Sequence, residues 1–223
     1  MQRHYLIDFD STFVRVEALD ELAKIALADN VERDKVAAKI ADITRRCMEG
    51  ELAFDESLKQ RLALFRPTVA HIEELVTLLR QSVTASFERN KEFLRQYADS
   101  IYIVSGGFQE YIRPVVEQFG IRSYHVLANS FVLDGDGEVV GYDTANPLSR
   151  DGGKVAAVRA LALDGEVVMI GDGYSDYQLK EAGLVKTFYA FTENVDRPAV
   201  AAKADHVLAN LDDFLLINNA SLV

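Results

Sequence analysis

Two aspartates stand two residues apart in Asp8-Phe9-Asp10, directly after a short apolar run, Tyr5-Leu6-Ile7. A second acidic pair, Asp172 and Asp176, follows another apolar run, Val167-Val168-Met169-Ile170, on the glycine-containing loop Gly171-Asp172-Gly173-Tyr174-Ser175-Asp176. Between them in the chain come Ser105-Gly106-Gly107 and, after Gly152-Gly153, Lys154. Clustered carboxylates repel one another unless a cation sits among them, and hard oxygen donors suit Mg²⁺. A serine hydroxyl and bare glycine amides opening a helix offer donors to an anion, aided by the helix dipole. Lys154 also opens a helix, and its charge can pair with a carboxylate and a phosphate together. These groups make a phosphate site. Metal, amides and lysine carry the phosphoryl charge, and a carboxylate stands close enough to attack.

Such groups meet only if the elements that carry them are neighbours. Tyr5-Leu6-Ile7, Ile101-Tyr102-Ile103-Val104, Tyr124-His125-Val126-Leu127, Val167–Ile170 and Thr187-Phe188-Tyr189-Ala190 read as short buried strands. Phe131-Val132-Leu133 and Glu138-Val139-Val140 flank Asp134-Gly135-Asp136-Gly137 as a hairpin. That turn lacks the further ligands and glycine of an EF-hand loop. From about Val16 to Arg95 the apolar residues recur at helical spacing, with Pro67 marking a break. Further helices run from Ser105-Gly106-Gly107 to Phe119 and from Val155 to Leu163. Strands alternating with helices argue for an α/β fold, a parallel sheet covered on both faces. In such sheets the carboxyl ends of the strands line the ligand crevice, and three of these runs end in Asp8 and Asp10, Ser105, and Asp172 with Asp176.

Composition sets the outer limits. The chain has 223 residues, 49% of them hydrophobic and 26% charged, with a net charge of −11. That is a folded chain with a substantial core, and its acidity opposes nucleic acid and anionic membrane surfaces as partners. No apolar run is long enough to span a bilayer, and MQRHYLIDFD places acids where a signal peptide would stay apolar. One cysteine, Cys47, excludes an internal disulfide and fits a reducing, cytoplasmic location. It lies in a helical stretch and reads as packing. Gly171-x-Gly173 lacks the third glycine of a dinucleotide fingerprint, and Ser105 is outside any G-x-S-x-G elbow. The four histidines show no ligand spacing. The oligomeric state is open.

The order and placement of the four motifs, Asp8-Phe9-Asp10-Ser11-Thr12, Ser105, Lys154 and Gly171-Asp172 with Asp176, resemble those of the haloacid dehalogenase superfamily across essentially the whole chain. The resemblance implies a Rossmann-like core over 1–14 and 81–223 and an inserted helical cap over 15–80. It implies that Asp8 becomes an aspartyl-phosphate and that Asp10 protonates the leaving oxygen and then activates water. Ser105 and Lys154 would hold phosphoryl oxygens. Mg²⁺ would sit between Asp8, the Asp10 backbone carbonyl and Asp172, with Asp176 supporting a metal-held water or Lys154.

Within that superfamily, DFDSTFVRVEALDELA from Asp8 and MEGELAFDESLKQR from Met48 resemble the phosphoserine phosphatases. This likeness places Glu17 on the substrate amino group and Arg61 on its carboxylate, with Met48 and Phe54 closing an apolar lid over the serine carbons. Ser105-Gly106-Gly107 matches that group's second motif, and Ser175 stands where those enzymes usually carry the longer Asn. A zwitterion needs an anion and a cation on opposite sides, and arginine meets carboxylates bidentately. The implied substrate is a small phosphorylated metabolite, O-phospho-L-serine foremost. The same motifs also serve a phosphatase for another metabolite, or a phosphotransferase in which an alcohol replaces water.

Overall fold

A computed structural model of the chain describes residues 2–218. Strand β1 (Arg3–Ile7) is followed by six helices: α1 (Ala18–Ala26), α2 (Arg33–Met48), α3 (Phe54–Leu62), α4 (Val69–Gln81), α5 (Ala85–Arg89) and α6 (Lys91–Gln96). The chain then alternates through β2 (Ile101–Phe108), α7 (Gln109–Val116) and β3 (Val126–Asn129). A hairpin, β4 (Phe131–Leu133) and β5 (Val139–Tyr142), comes next. The remainder is α8 (Gly153–Leu161), β6 (Glu166–Gly171), α9 (Tyr174–Glu181), β7 (Thr187–Phe191), α10 (Pro198–Ala201), β8 (His206–Leu208) and α11 (Leu211–Ile217).

Six strands form one parallel sheet in the order β3-β2-β1-β6-β7-β8. Side chains of a strand alternate between faces, so an unbroken apolar run feeds two cores at once. Tyr5, Ile7, Val168 and Ile170 point into a large core shared with α1, α4 and α7. Leu6, Val167 and Met169 point the other way, against Ala157 and Val158 of α8 and Leu179 of α9. Phe13 is ringed by Phe87 and Phe119, at centroid separations of 5.1 and 5.2 Å. This aromatic contact fixes the turn that leaves β1 toward the inserted helices.

The sequence reading needs four adjustments. β2 runs on through Ser105, Gly106 and Gly107 to Phe108, and α7 starts only at Gln109. β3 starts at Val126 because Ser123–His125 forms a short turn, with Tyr124 exposed and His125 stacked on Tyr102. α8 begins and ends two residues earlier than Val155–Leu163, because Gly152 supplies the left-handed turn that starts it. β8, three residues long and half polar in its surroundings, carries too little periodicity to be legible as a strand.

Candidate active site

Strands β2, β1 and β6 are consecutive in the sheet, so their carboxyl ends open side by side. From β1 the chain builds β2 and β3 on one side and then crosses to build β6, β7 and β8 on the other. The crevice at such a reversal is where open α/β sheets bind ligands. Asp8 is the first residue beyond β1; its N–H donates to the Ile170 carbonyl at 3.0 Å, and its Oδ1 accepts from the Phe9 N–H at 2.7 Å. The chain then tightens over Phe9–Phe13, with Ser11 in the left-handed region at φ 54°. Three contacts hold that strained turn: Asn194 Nδ2 donates to the Ser11 and Thr12 carbonyls, and Thr84 Oγ1 donates to the Thr12 carbonyl at 2.6 Å.

Asp8, Asp172 and Asp176 are buried, and one carboxylate oxygen from each lies within 4.8 Å of the others. Lys154 Nζ bridges two of them, 2.8 Å from Asp8 Oδ1 and 2.7 Å from Asp176 Oδ1. Asp176 Oδ2 accepts from the Gly173 N–H at 3.0 Å. Asp172 accepts from Thr12 Oγ1 at 3.1 Å and from Arg197 Nε at 2.8 Å. Burial raises the Asp176 carboxyl to about 8, with the Asp8 charge adding to the effect. Burial also raises Asp172, again helped by Asp8 and opposed by Arg197. Desolvation by itself would lower the Lys154 ammonium, but Asp176 and Asp8 outweigh it and hold the ammonium above its ordinary value. Three buried acids thus face Lys154 and Arg197, and a further cation among them would favour the ionised forms of Asp172 and Asp176 that burial opposes. Hard oxygen donors in that arrangement fit a divalent cation.

Asp10 stands apart from this cluster. Its Oδ1 accepts from the Ala18 N–H at 2.7 Å, and its Oδ2 lies 3.4 Å from Ser105 Oγ. Burial raises its carboxyl to about 7; the Ala18 amide opposes the shift and the Asp8 charge adds to it. A carboxyl that titrates near neutrality both gives and takes a proton there.

Ser105 reaches the site by a route other than a helix start. Between Val104 and Phe108 the strand advances four positions while its partner β3 advances two, from Leu127 to Asn129. The surplus bulges Ser105, Gly106 and Gly107 out of the pairing, a device that re-aims side chains at strand ends. Gly107 N–H donates to Ser105 Oγ at 2.9 Å. The expected help from a helix dipole is therefore absent at Ser105; the bulge turns the Gly107 N–H onto Ser105 Oγ and so orients that hydroxyl. Gly106 has a second constraint, since a Cβ there would stand 2.5 Å from the Phe54 ring.

A cavity of about 360 Å³ lies over these groups. Asp8, Asp10, Asp172, Ser105, Gly106, Gly107 and Lys154 line it, and so do Glu17, Met48, Phe54, Arg61 and Ser175. Asp176 alone among the predicted site residues is not on its wall: it is fully buried beneath Lys154. Glu17 Oε1 accepts from Ser11 Oγ at 2.7 Å, and burial raises this carboxyl to about 8, with Asp10 and Asp172 adding. Cys47, expected to be packing alone, is half-buried and borders the cavity beside Met48.

Two functional residues escaped the sequence reading. Arg197 contacts Asp172 and lies 3.9 Å from Glu17, yet it stands 25 positions beyond Asp172 in a stretch with no motif. Asn194 holds the turn after β1 from 183 positions beyond Ser11. Only the fold brings either residue to the site.

The haloacid dehalogenase-like hydrolase family model matches residues 6–181. The chain belongs to that family. The hydrolase is 32% identical over 211 residues to the chloroplastic phosphoserine phosphatase of Arabidopsis thaliana, a match covering 93% of this chain and 69% of the relative. It is 30% identical to the phosphoserine phosphatase of Drosophila melanogaster, covering 93% and 75% of the two chains. Among solved structures, a phosphoserine phosphohydrolase-like protein from Francisella tularensis superposes with a TM-score of 0.86 at 29% identity, over 97% of this chain and 99% of the other. Among the described residues no helix is long and apolar enough to cross a membrane.

Glycine at position 171 leaves the space that the Asp176 carboxylate occupies. A Cβ there would stand 2.3 Å from Asp176 Oδ2 and 2.9 Å from Asp176 Cβ, so the carboxylate that Lys154 holds must move. Gly171→Ala is expected to cost about 1–3 kcal/mol of stability through overpacking. It should also weaken divalent-cation binding in a titration of the purified protein. Unaltered melting and unaltered cation affinity together would show that Asp176 has room to shift.

Proposed function

We propose that this hydrolase is a Mg²⁺-dependent phosphomonoesterase that acts through an aspartyl-phosphate, with O-phospho-L-serine as substrate. One observation carries the reading. A single cavity is lined by Asp8, Lys154 and Ser105 and also by an acid and a base, Glu17 and Arg61. A phosphorylated zwitterion presents charges of matching number and sign. The phosphoserine phosphatases among the relatives support the same substrate.

The residues divide the work by chemistry. Asp8 and Asp172, with the Asp10 backbone carbonyl and with Asp176 in support, would hold Mg²⁺, which when bound neutralises phosphoryl oxygens that otherwise repel an attacking carboxylate. Lys154, Ser105 and the Gly106 amide hold the remaining phosphoryl oxygens, with the Gly107 amide orienting Ser105 Oγ. Asp8 forms a bond to phosphorus as the bond to the serine oxygen breaks, and Asp10 gives that oxygen its proton. Asp10, now a carboxylate, takes a proton from the water that attacks phosphorus, and the bond to Asp8 breaks to release phosphate. The raised Asp10 carboxyl suits both steps at neutral pH.

Arg61 meets the substrate carboxylate and Glu17 its ammonium, which draws the Glu17 proton away on binding. Met48 and Phe54, both half-buried, cover the serine carbons and exclude water from the intermediate. Ser175, exposed in the first turn of α9, stands near the phosphoryl end.

Phosphate release with Mg²⁺ from L-phosphoserine, phosphoethanolamine and p-nitrophenyl phosphate tests the substrate. Strong preference for phosphoserine over phosphoethanolamine is expected. Arg61→Ala should raise KM for phosphoserine roughly 10- to 100-fold, the scale of lost charge-assisted hydrogen bonds, and change the aryl phosphate little. Equal effects on both substrates would remove Arg61 from recognition. Transfer of the phosphoryl group to added homoserine, at the expense of free phosphate, would mark a phosphotransferase instead.

A further inference from the structure

We propose that Asp20 and Thr44 are positioning residues for Arg61, and through it set the preference for a substrate that carries a carboxylate. The inference rests on reading Arg61 as the carboxylate partner. Asp20 comes from α1, Thr44 from α2 and Arg61 from α3, so the contact joins three separate helices. Thr44 and Arg61 are buried, and the Asp20 side chain is 14% exposed.

The hydrogen bonds run in one direction. Arg61 Nη1 donates to Thr44 Oγ1 at 3.3 Å, and Thr44 Oγ1 donates to Asp20 Oδ1 at 2.7 Å. A hydroxyl has a single proton; once it is given to Asp20, the lone pairs face the guanidinium. Asp20 Oδ1 also lies 3.8 Å from Arg61 Nη1 and supplies the counter-charge a buried arginine needs. The guanidinium is therefore anchored at one nitrogen. Its Nε is buried with no partner among the described residues, while the side chain borders the cavity. A rigid planar fork, fixed at one end and unpaired elsewhere, is arranged to meet a carboxylate.

Neither α2 nor the core calls for a hydroxyl at position 44. Valine has the same shape as threonine, and a helix-facing core position accepts it as readily. What valine lacks is the relay from Arg61 to Asp20.

The test compares wild type, Thr44→Val, Thr44→Ser and Asp20→Asn on L-phosphoserine and on phosphoethanolamine, which keeps the phosphate and ammonium but has no carboxylate. Thermal melts run alongside. In Thr44→Val and Asp20→Asn the ratio of kcat/KM for phosphoserine to that for phosphoethanolamine should fall about tenfold, mainly through KM for phosphoserine. Thr44→Ser should restore the ratio. A purely structural role would lower both substrates together and leave the ratio unchanged. A wild type that prefers phosphoserine, with a Thr44→Val that keeps the preference, refutes the relay alone. A wild type indifferent to the carboxylate refutes the substrate reading, and the relay with it.

Discussion

Asp8→Asn is expected to release no phosphate above background, a fall of about four orders of magnitude or more in kcat. The substitution keeps the side chain's shape and removes only the charged oxygen placed to attack phosphorus. The backbone of Asp8 is held by the Ile170 carbonyl and is indifferent to the change. Folding should survive for an electrostatic reason as well. Asp8 raises the pKa of both Asp172 and Asp176, so neutralising it relieves repulsion while Lys154 keeps Asp176 as its partner. A melting temperature near that of wild type, together with absent turnover, is the predicted pair of results. Wild-type enzyme quenched in acid during turnover should carry one phosphoryl mass on the peptide containing Asp8. Appreciable hydrolysis by Asp8→Asn would remove Asp8 as nucleophile.

Lys154→Met should damage both chemistry and stability. Methionine keeps the apolar stem, but the ammonium that bridges Asp8 and Asp176 is gone. Breaking a buried pair by removing one partner costs about 3–5 kcal/mol, because the other charge stays buried and unpaired. At roughly 2–4 °C per kcal/mol for a domain of this size, melting should drop by about 10 °C at alkaline pH, where Asp176 is charged. The deficit has a pH dependence whose sign follows from the carboxyls. Asp176 already has a folded pKa raised to about 8, and loss of its cation raises it further. At pH 6 the unpaired carboxyl takes a proton and the cost is small. As pH climbs toward 9 the folded protein must hold it charged or forfeit the proton's stabilisation, so the deficit grows. Added Mg²⁺ should recover part of the loss by supplying charge to the same cluster. A deficit that is flat across this pH range would show that Lys154 stabilises through packing instead.

The predictable parts of the fold were those with strong local patterns. β1, β6 and β7 each carry a continuous apolar stretch because both faces of the sheet are covered, and the helices between β1 and β2 show their apolar stripe plainly. β8 is too short to show a pattern, and β3 starts two residues later than the sequence suggests because Tyr124, exposed in a turn, looks like a strand residue. Ser105-Gly106-Gly107 reads as a helix start in sequence, since glycines after a serine suit both a cap and a bulge. The pairing with β3, which lies on another segment, settles which one forms.

Sequence by itself determined the chemistry on offer: which carboxylates, hydroxyl and lysine end the apolar runs, and that they suit a phosphate and a cation. Those identities are local, and each motif carries its own residues wherever the fold takes them. Tertiary structure alone decided that β2, β1 and β6 are adjacent and that Lys154 spans Asp8 and Asp176. It also brought Arg197 to Asp172, and Asp20 and Thr44 to Arg61. The physical reason is the same in each case. Strand order, bulge register and helix packing are set by burial of apolar surface summed over the whole chain, and no short stretch of sequence contains that sum.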